Sequence, residues 1–427
     1  MERLLEPAIK VRGEISLPGD KSIWHRALII GAISEGETEI VGEPAGDDVL
    51  STESCLKQLG IKISRKNGKT VVSGNGPKGL KKPESVLDAG NSGTTVRLLS
   101  GVLSAQNFES VIDGDSSLRK RPMNRIVAPL SLMGAQLLPS DSGGCPLNII
   151  GTATLNSISY KVPVASAQVK SALLLASVCG GVELELSEPY PTRNHTELML
   201  RQCGVNVKTN GNSIHLDRNV KLNNSVFRVP GDFSSAAFFI TAALMLPESE
   251  ITLKDVGLNP TRTGFLDFIK KMGADFTVNR AENRSGESYG DIIVRHSDLK
   301  AVTITAKDIP SIIDELPLIG ILGTVADGIT RVSGASELRV KESDRISLLV
   351  EGLRGIGVTI IEFEDGFSIE GGQKILGGIV DSGNDHRIAM SFAVAGLASK
   401  NGVTVKDSQS ASVSYPSFFT DLEKLSE

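Results

Sequence analysis

Apolar helices that follow a short polar cluster recur along this chain. Six segments share the pattern: "DKSIWHRALIIGAI", "NSGTTVRLLSGVL", "SAQVKSALLLASV", "DFSSAAFFITAAL", "DELPLIGILGTV" and "DHRIAMSFAVAGL". One polar residue marks each segment, at steps of 66 to 82 residues: Lys21, Asn91, Ser166, Asp232, Asp314 and Asp385. Such similar steps indicate one structural unit that has been duplicated along the chain.

A second pattern closes most of these units. It is a helix that ends in glycine and is followed by alternating apolar positions, as in "LKQLGIKIS", "LSLMGAQLL", "LRQCGVNVK", "IKKMGADFT" and "LRGIGVTII". Glycine tolerates the left-handed backbone that often ends a helix, and the alternation is typical of a half-buried strand. Each unit is therefore predicted to run strand, buried helix, strand, second helix, strand, as an α/β repeat.

The length of 427 residues is more than one hydrophobic core usually holds, so six units predict two domains of three. The segment "FRVPGDFSS", near residues 227 to 235, separates the third and fourth units. The chain is expected to cross between domains a second time at "LPGDK". The predicted domains are therefore residues 21–229, and residues 1–20 together with 230–427.

The composition predicts a globular protein of a reducing compartment. Hydrophobic residues make up 40% of the chain and charged residues 22%. The four cysteines have no CxxC spacing, which favours free thiols and gives no support to a metal site: Cys55, Cys145, Cys179 and Cys203. The most hydrophobic segment, "SALLLASVCGG", is too short to cross a bilayer. We therefore expect a cytoplasmic protein that does not bind membranes.

The charge distribution indicates that anions are bound locally. A formal net charge of −5 argues against a broad nucleic-acid surface, yet cations cluster in "RKRPMNR" and "ELRVKESDR". The polar clusters lie at predicted helix N-termini, where free N–H groups and the helix dipole favour anions. Simple capping is the alternative interpretation, and we take it for Ser234 and Ser235. Capping does not explain cations such as Lys21 and Arg387.

Several of these segments combine groups suited to phosphate binding and proton transfer. In "KSIWHR", Ser22 and Arg26 share one helix face, which predicts a phosphate-binding face. Asp314 stands in apolar surroundings, and Glu342 lies three residues before Arg345. A carboxylate that is near cations and shielded from water is a candidate acid or base. An ordinary structural ion pair remains the alternative.

Ten motifs resemble the 5-enolpyruvylshikimate-3-phosphate synthase family, in the family's order and over nearly the whole chain. They are "LPGDKSIWHRA", "DAGNSGTTVRLLSG", "DGDSSLRKRPM", "VPVASAQVKSALLLA", "TRNHTE", "PGDFSSAAFF", "NPTRTG", "IDELP", "ELRVKESDRI" and "DHRIAMSFAVAG". The resemblance implies an α/β (α+β) fold with two similar domains, each built from three βαβαββ units as an inside-out α/β barrel. It also implies an active site in the cleft between the domains.

The resemblance further implies transfer of the enolpyruvyl group of phosphoenolpyruvate to the 5-hydroxyl of shikimate 3-phosphate, with release of phosphate. No cofactor or metal is needed, and we expect a monomer that does not bind nucleic acid. The implied catalytic residues are Lys21, Asp314 and Glu342. The implied ligands of shikimate 3-phosphate are Lys21, Ser22, Arg26, Ser166, Gln168, Arg193, Asp314 and Lys341. Those of phosphoenolpyruvate are Lys21, Asn91, Gly93, Arg121, Gln168, Arg345 and Arg387.

Two alternative functions are weighed against this one. The related transferase acting on UDP-N-acetylglucosamine typically has a reactive cysteine in the loop corresponding to "DGDSSLRKRPM", and this loop has none. The second alternative is a protein of the same fold that binds a phosphorylated metabolite without catalysis. Trp24, which stands where many members have serine, would be the residue that disables it. Trp24 is two positions from both Ser22 and Arg26, so we expect it to face away from the phosphate and to pack against a neighbouring element.

Overall fold

The computed structural model describes residues 1–44, 46–66, 68–280 and 286–427. The helices are α1 (Lys21–Ile33), α2 (Gly46–Gln58), α3 (Gly93–Ser104), α4 (Ser116–Lys120), α5 (Asn124–Leu132), α6 (Ala167–Gly180), α7 (His195–Gln202), α8 (Phe233–Met245), α9 (Gly264–Lys271), α10 (Ile309–Ile312), α11 (Leu316–Gly323), α12 (Arg345–Gly355), α13 (His386–Leu397) and α14 (Phe418–Leu425). Two 3-10 segments span Ser336–Val340 and Ser408–Val413. None of the helices in the described ranges has the length and apolarity that crossing a membrane requires.

The strands are β1 (Arg3–Leu5), β2 (Arg12–Ser16), β3 (Glu35–Val41), β4 (Lys62–Lys66), β5 (Lys69–Asn75), β6 (Leu87–Asp88), β7 (Glu109–Asp113), β8 (Gln136–Leu138), β9 (Leu147–Ile150), β10 (Ile158–Lys161), β11 (Leu184–Ser187), β12 (Val207–Asn210), β13 (Ser213–Leu216), β14 (Val226–Arg228), β15 (Glu250–Gly257), β16 (Asp275–Arg280), β17 (Tyr289–Arg295), β18 (Thr303–Ile304), β19 (Ile329–Val332), β20 (Ile360–Phe363), β21 (Gly366–Glu370), β22 (Gly378–Asp381) and β23 (Val403–Lys406).

The described residues form two compact units. The first unit contains Met1–Pro18, 230–280 and Ser288–Glu427, and the second contains Gly19–Val229 with Gly286 and Glu287. Each unit has its own hydrophobic core. The chain thus leaves the first unit after Pro18 and returns to it at Pro230.

In the described residues each unit contains three small sheets, and five of these six sheets share one pattern. In the second unit the strand orders are β14-β3-β5-β4, β6-β7-β9-β8 and β10-β11-β13-β12. In each of these sheets the first two strands are parallel and the others antiparallel. The first unit repeats this arrangement in β2-β15-β17-β16 and β18-β19-β21-β20. The predicted duplication of one α/β unit is therefore confirmed.

The third sheet of the first unit departs from the predicted βαβαββ order. Its strands are β22, β23 and β1, with β22 parallel and β1 antiparallel to β23. The residues that follow β23 form the 3-10 segment Ser408–Val413 and α14 instead of a strand hairpin. The edge of β23 is covered instead by β1, whose Leu4 pairs with Thr404.

Two strands are exchanged where the chain passes between the units. β2 precedes α1 in the sequence but pairs with β15, and β14 precedes α8 but pairs with β3. Both pairings are parallel, as in the other repeats. The N-terminal residues therefore supply strands to the first unit, and the strand just before Pro230 completes a sheet of the second.

One buried helix from each repeat builds the two cores. These helices are α1, α3 and α6 in the second unit, and α8, α11 and α13 in the first. Nearly every residue in them is buried, as expected for helices that are largely apolar around their circumference. At the contact of α3 with α6, a Cβ on Gly101 would lie 2.1 Å from the carbonyl oxygen of Ala172. Only glycine allows this approach of the two backbones.

The polar markers lie at the N-termini of these helices, as predicted, but one capping assignment was wrong. Ser234 and Ser235 do not cap α8 with their hydroxyls. Their backbone N–H groups donate to Asp232 Oδ1, which is the cap, at 2.7 and 3.3 Å. The hydroxyl of Ser234 donates instead to Glu315 Oε1 at 2.5 Å. A carboxylate one position before the helix accepts from two N–H groups and leaves the serine hydroxyl available.

Trp24 is a packing residue of the second unit. Its side chain is 1% exposed within the core, and Nε1 donates to the carbonyl oxygen of Glu43 at 2.8 Å. A Cβ on Gly19 would lie 2.5 Å from the same Nε1, so the indole also fills the space left by this glycine. The predicted packing role of Trp24 is confirmed.

Trp24→Ser is expected to lower the free energy of unfolding by about 3 to 5 kcal/mol, because it removes a large buried aromatic ring and leaves a cavity. Trp24→Phe keeps most of the apolar contact and loses the hydrogen bond to Glu43, so its loss should be about 1 kcal/mol. Chemical denaturation of the two variants and the parent measures both values. An unchanged denaturation midpoint in Trp24→Ser would contradict the packing role.

Candidate active site

The first polar group of the second unit lies at the start of α1. Asp20 caps this helix by accepting from the backbone N–H of Ile23 at 2.9 Å. Lys21, the first residue of the helix, places Nζ 2.9 Å from Asp48 Oδ2. Ser22 lies beside it and is partly exposed. Arg26, one turn later, is 2% exposed and donates to the carbonyl oxygen of Ser22 at 2.8 Å.

Arg26 joins three helices through hydrogen bonds. Its Nε donates to Thr196 Oγ1 on α7 at 2.7 Å, and its Nη2 donates to Ser171 Oγ on α6 at 2.8 Å. Burial lowers the pKa of Arg26 to about 10, opposed by Glu197 and assisted by the nearby positive charge of Arg193. Arg26 is therefore still positively charged near neutral pH, and its guanidinium is held rigidly.

His25 lies next to the positive charges of Lys21 and Arg26. It is fully buried, and Nδ1 lies 2.7 Å from Thr52 Oγ1. Burial, and then the positive charges of Lys21 and Arg26, hold its pKa well below the usual 6.5. His25 is therefore neutral near pH 7.

A second group spans the N-termini of α3 and α6. Ser166 caps α6 by accepting from the backbone N–H of Val169 at 3.4 Å. Gln168 accepts from Arg97 Nη1 at 2.6 Å and donates to Thr94 Oγ1 at 3.0 Å. The sequence analysis did not identify Arg97, because its partner Gln168 is 71 residues away along the chain. Gln168 is thus held across two helix ends.

Arg121, Asn91 and Gly93 form a third group in the second unit. Arg121 Nη1 donates to the carbonyl oxygen of Asn91 at 3.0 Å, and Nη2 donates to its side-chain oxygen at 2.5 Å. A Cβ on Gly93 would lie 2.9 Å from Arg97 Nη1 and 3.2 Å from Arg121 Nη1. The absence of a side chain at Gly93 therefore gives two guanidinium groups access to the start of α3.

The first unit gathers four cations around one carboxylate. Asp314 has a side chain that is 10% exposed and lies two residues before α11. Its oxygens lie between 3.4 and 3.9 Å from the nearest nitrogens of Arg262, Lys341, Arg345 and Arg387. The sequence analysis had named three of these four cations, and Arg262 was missed. The carboxylate is thus near positive charge and largely shielded from water.

Arg345 is the buried first residue of α12 and contacts acidic side chains from three segments of the chain. Arg345 Nη2 lies 2.5 Å from Glu342 Oε2, and Nε lies 2.8 Å from Asp385 Oδ2. Burial alone would lower the pKa of Arg345, but Asp385, Glu342 and Asp314 outweigh burial and raise it above its ordinary value. Its charge is therefore permanent. Glu342 is more exposed, at 21% of its side chain, and stands at the outer edge of the group.

Arg387 and Arg262 contact the residues on either side of Asp314. Arg387 Nη1 donates to the carbonyl oxygen of Asp314 at 3.2 Å and lies 3.9 Å from Glu315 Oε1. Arg262 Nη2 donates to Ser234 Oγ at 2.9 Å, and this hydroxyl in turn donates to Glu315. Only the motif "NPTRTG" pointed to Arg262, and no spacing rule connects it with residue 314.

One group outside these sites has the side chains of a metal ligand set. Glu183, Glu185 and His215 place ligand atoms within 4.8 Å of one another in the described part of the chain. They lie on or beside β11 and β13, and Glu185 is exposed. His215 Nε2 is also 2.9 Å from Asp217 Oδ1, so a surface ion-pair cluster accounts for this arrangement.

Comparison with known proteins places the whole chain in one family. The model for EPSP synthase (3-phosphoshikimate 1-carboxyvinyltransferase) matches residues 5–422. The chain belongs to this family. The 3-phosphoshikimate 1-carboxyvinyltransferase of Thermoanaerobacter sp. (strain X514) is 46% identical over 415 residues, covering 97% of this chain and 98% of that protein. That of Bacillus cereus (strain ATCC 10987 / NRS 248) is 44% identical over 428 residues and is covered completely, as is this chain.

Solved structures agree with the family membership. The structure of EPSP synthase from Acinetobacter baumannii has a TM-score of 0.87 and 44% identity, covering 100% of this chain and 98% of that one. The enolpyruvyl transferase NikO from Streptomyces tendae has a TM-score of 0.79 at 16% identity, with 99% and 96% coverage, and shows the shared fold. The predicted family and mixed α/β fold are confirmed.

The neutral state of His25 predicts a pH-dependent stability. The unfolded histidine takes up a proton near its ordinary pKa of about 6.5, whereas the folded one does not. The contribution of neutral His25 to the free energy of unfolding is therefore fully present above pH 6.5. It is lost as the pH falls, by up to about 1.4 kcal/mol per pH unit. His25→Gln should remove this part of the slope in denaturation curves between pH 7 and 5. An unchanged slope would mean that His25 is protonated in the folded protein.

Proposed function

We propose that this chain performs the 3-phosphoshikimate 1-carboxyvinyltransferase reaction of its family with the three polar groups of the second unit and the Asp314 group of the first. The observation that carries the proposal is the set of four cations within 4 Å of the Asp314 carboxylate, which is largely shielded from water. Both substrates of this reaction are multiply charged anions, and such a site supplies fixed positive charge together with a group that can move a proton. Residues 21–229, and 1–20 with 230–427, are proposed as the two functional domains.

The second unit is proposed to bind the phosphate of shikimate 3-phosphate. Arg26 is rigid because three of its nitrogens donate hydrogen bonds, and the α6 N-terminus directs backbone N–H groups outward. The proposed ligands of this substrate in the second unit are Lys21, Ser22, Arg26, Ser166, Gln168 and Arg193. Asp314 and Lys341 of the first unit are proposed to bind the hydroxyl groups of its ring.

Phosphoenolpyruvate is proposed to be bound by arginines of both units. Arg121 is oriented by its two hydrogen bonds to Asn91, and Arg345 is oriented by Asp385. A planar guanidinium suits both the carboxylate and the phosphate of this substrate, because it donates two parallel hydrogen bonds. The complete proposed set is Lys21, Asn91, Gly93, Arg121, Gln168, Arg345 and Arg387.

The proposed mechanism is an addition followed by an elimination. A general acid protonates the methylene carbon of phosphoenolpyruvate, and the 5-hydroxyl oxygen attacks the neighbouring carbon as it loses its proton to a base. The resulting tetrahedral intermediate gives up a proton from its new methyl group as the carbon–oxygen bond to phosphate breaks. The products are the enolpyruvyl ether and inorganic phosphate. Asp314, Glu342 and Lys21 are proposed to exchange these protons, with the arginines stabilising the moving charge.

The UDP-N-acetylglucosamine reaction is not favoured. The loop that contains α4 has no cysteine, and the nearby Cys145 is 2% exposed. Burial, and then the negative charge of Asp113, raises the pKa of Cys145 to about 11, so this thiol is protonated and inaccessible. A non-catalytic role is not favoured either, since Lys21, Asp314 and Glu342 are all present.

The purified protein is expected to release inorganic phosphate only when shikimate 3-phosphate and phosphoenolpyruvate are both present. Each substrate alone serves as a control, and so does phosphoenolpyruvate with UDP-N-acetylglucosamine. Phosphate release in that last mixture, or none with the proposed pair, would overturn the assignment.

Asp314→Asn is expected to bind shikimate 3-phosphate measurably while kcat falls by about 10²- to 10⁴-fold, since the amide cannot transfer a proton as the carboxylate does. Asp308→Asn is a matched control. It is a half-buried aspartate of the same unit whose oxygen accepts from Thr305, which an asparagine oxygen can also do. A kcat for Asp314→Asn close to that of Asp308→Asn would show that Asp314 has only a structural role.

A further inference from the structure

Lys170 is a buried cation that the proposed mechanism does not use. It lies in the first turn of α6 and is 1% exposed. Its Nζ is 2.9 Å from Glu188 Oε2, 2.8 Å from Glu197 Oε1 and 3.2 Å from the carbonyl oxygen of Thr192, to which it donates. All three hydrogen atoms of the ammonium group therefore have an acceptor.

These three partners come from one short segment of the chain. Glu188 directly follows β11, Thr192 lies in the loop that comes next, and Glu197 is in the first turn of α7. The hydroxyl of Thr192 donates to Glu188 Oε1 at 2.5 Å, and the backbone N–H of Glu188 donates to the carbonyl oxygen of Asn212. Lys170 thus connects the beginning, middle and end of the segment 188–197.

This segment carries Arg193, the residue directly after Thr192. Its far end also orients Arg26, because Thr196 accepts from Arg26 Nε and lies 2.7 Å from Ser171 Oγ. Ser171 follows Lys170 on α6. Lys170 therefore contacts the segment that holds one proposed phosphate ligand and lies next to residues that hold another.

We propose that Lys170 is a positioning residue for the phosphate site: its three bonds to segment 188–197 set the position of Arg193 and, through α7, of Arg26. This inference rests on the proposed function. A buried ion pair is often no more stabilising than apolar residues of the same volume, so stability alone is a weak reason for three buried charges here. A cationic site that must be held in position before the substrate arrives gives a stronger reason, because small displacements of a binding group are costly.

The charge balance supports the same role. Glu188 and Glu197 are both almost completely buried, and Glu197 also acts on the charge of Arg26. Loss of Lys170 would leave these two carboxylates close together without the ammonium that separates them. Arg26 and Arg193 would then become alternative partners for the carboxylates, which would compete with the substrate phosphate for both cations.

The test is Lys170→Met, which keeps the length of the side chain and removes its charge. The dissociation constant of shikimate 3-phosphate, measured by calorimetry, should rise about tenfold or more, while KM for phosphoenolpyruvate stays within about threefold of the parent. Lys170→Arg, which keeps the charge, should recover part of the lost affinity. An unchanged dissociation constant, or equal losses for both substrates, would overturn the positioning role.

Two further variants separate positioning from general stability. Thr192→Val removes the hydrogen bond that orients Glu188, which is one of the three acceptors of Lys170, and leaves every charge in place. It therefore tests the same contact if Lys170→Met does not fold. It should raise the same dissociation constant to a smaller extent, and no change would refute the proposal. Glu53→Gln is the control, because Glu53 is a buried carboxylate of the same unit that pairs with Lys57 and Arg65. Glu53→Gln should lower the free energy of unfolding without a selective loss of affinity for shikimate 3-phosphate.

The activity of the parent protein separates a failure of the proposed function from a failure of the role of Lys170. If it releases no phosphate from the two substrates, the proposed function fails. If it turns over normally and Lys170→Met binds shikimate 3-phosphate as the parent does, only the role of Lys170 fails.

Discussion

Among the candidate site residues, three cations occupy the first or second position of a helix, at the end where the helix dipole opposes positive charge. Lys21 and Arg345 are the first residues of α1 and α12, and Arg387 is the second residue of α13. Such positions are unfavourable for a cation unless negative charge is close. Carboxylates meet this need within each unit: Asp48 for Lys21, Asp385 for Arg345 and Asp314 for Arg387. Each of these three helix starts therefore brings a cation and a carboxylate together.

The same requirement explains why so few carboxylates serve so many partners. Asp385 caps α13 and also accepts from Arg345, so one side chain satisfies a helix end and a buried guanidinium. Asp314 is near four cations, and a carboxylate in such surroundings is stabilised in its charged form. The structure shows Asp314 in ion pairs, which is the first of the two alternatives that the sequence left open, and proton transfer is its proposed role. The proposed function depends on the second role.

Apolar burial decides where these groups can be. α8 and α11 are buried on every side, so charged residues lie at their ends and in the loops before them. The one polar side chain past the first turn of these two helices, Thr241, donates to the carbonyl oxygen of Ala237. Charged residues inside such helices, such as Arg26 of α1 and Lys170 of α6, have hydrogen-bond partners on neighbouring segments. The close contact at Gly101 shows how tightly two of these helices approach, which holds their N-termini and therefore Gln168 and Arg97 in fixed positions.

The sequence by itself determined the repeat, the helix starts and most of the candidate residues, because periodicity, caps and motifs are local. It did not identify Arg97, Lys170 or Arg262 as site residues, since their partners are 71, 18 and 28 residues away and no local rule connects them. It predicted hydroxyl caps at Ser234 and Ser235, where Asp232 competes more strongly for the same N–H groups. Tertiary structure alone decided that β2 pairs with β15 and β14 with β3, because strand pairing depends on which edges the folded chain brings together.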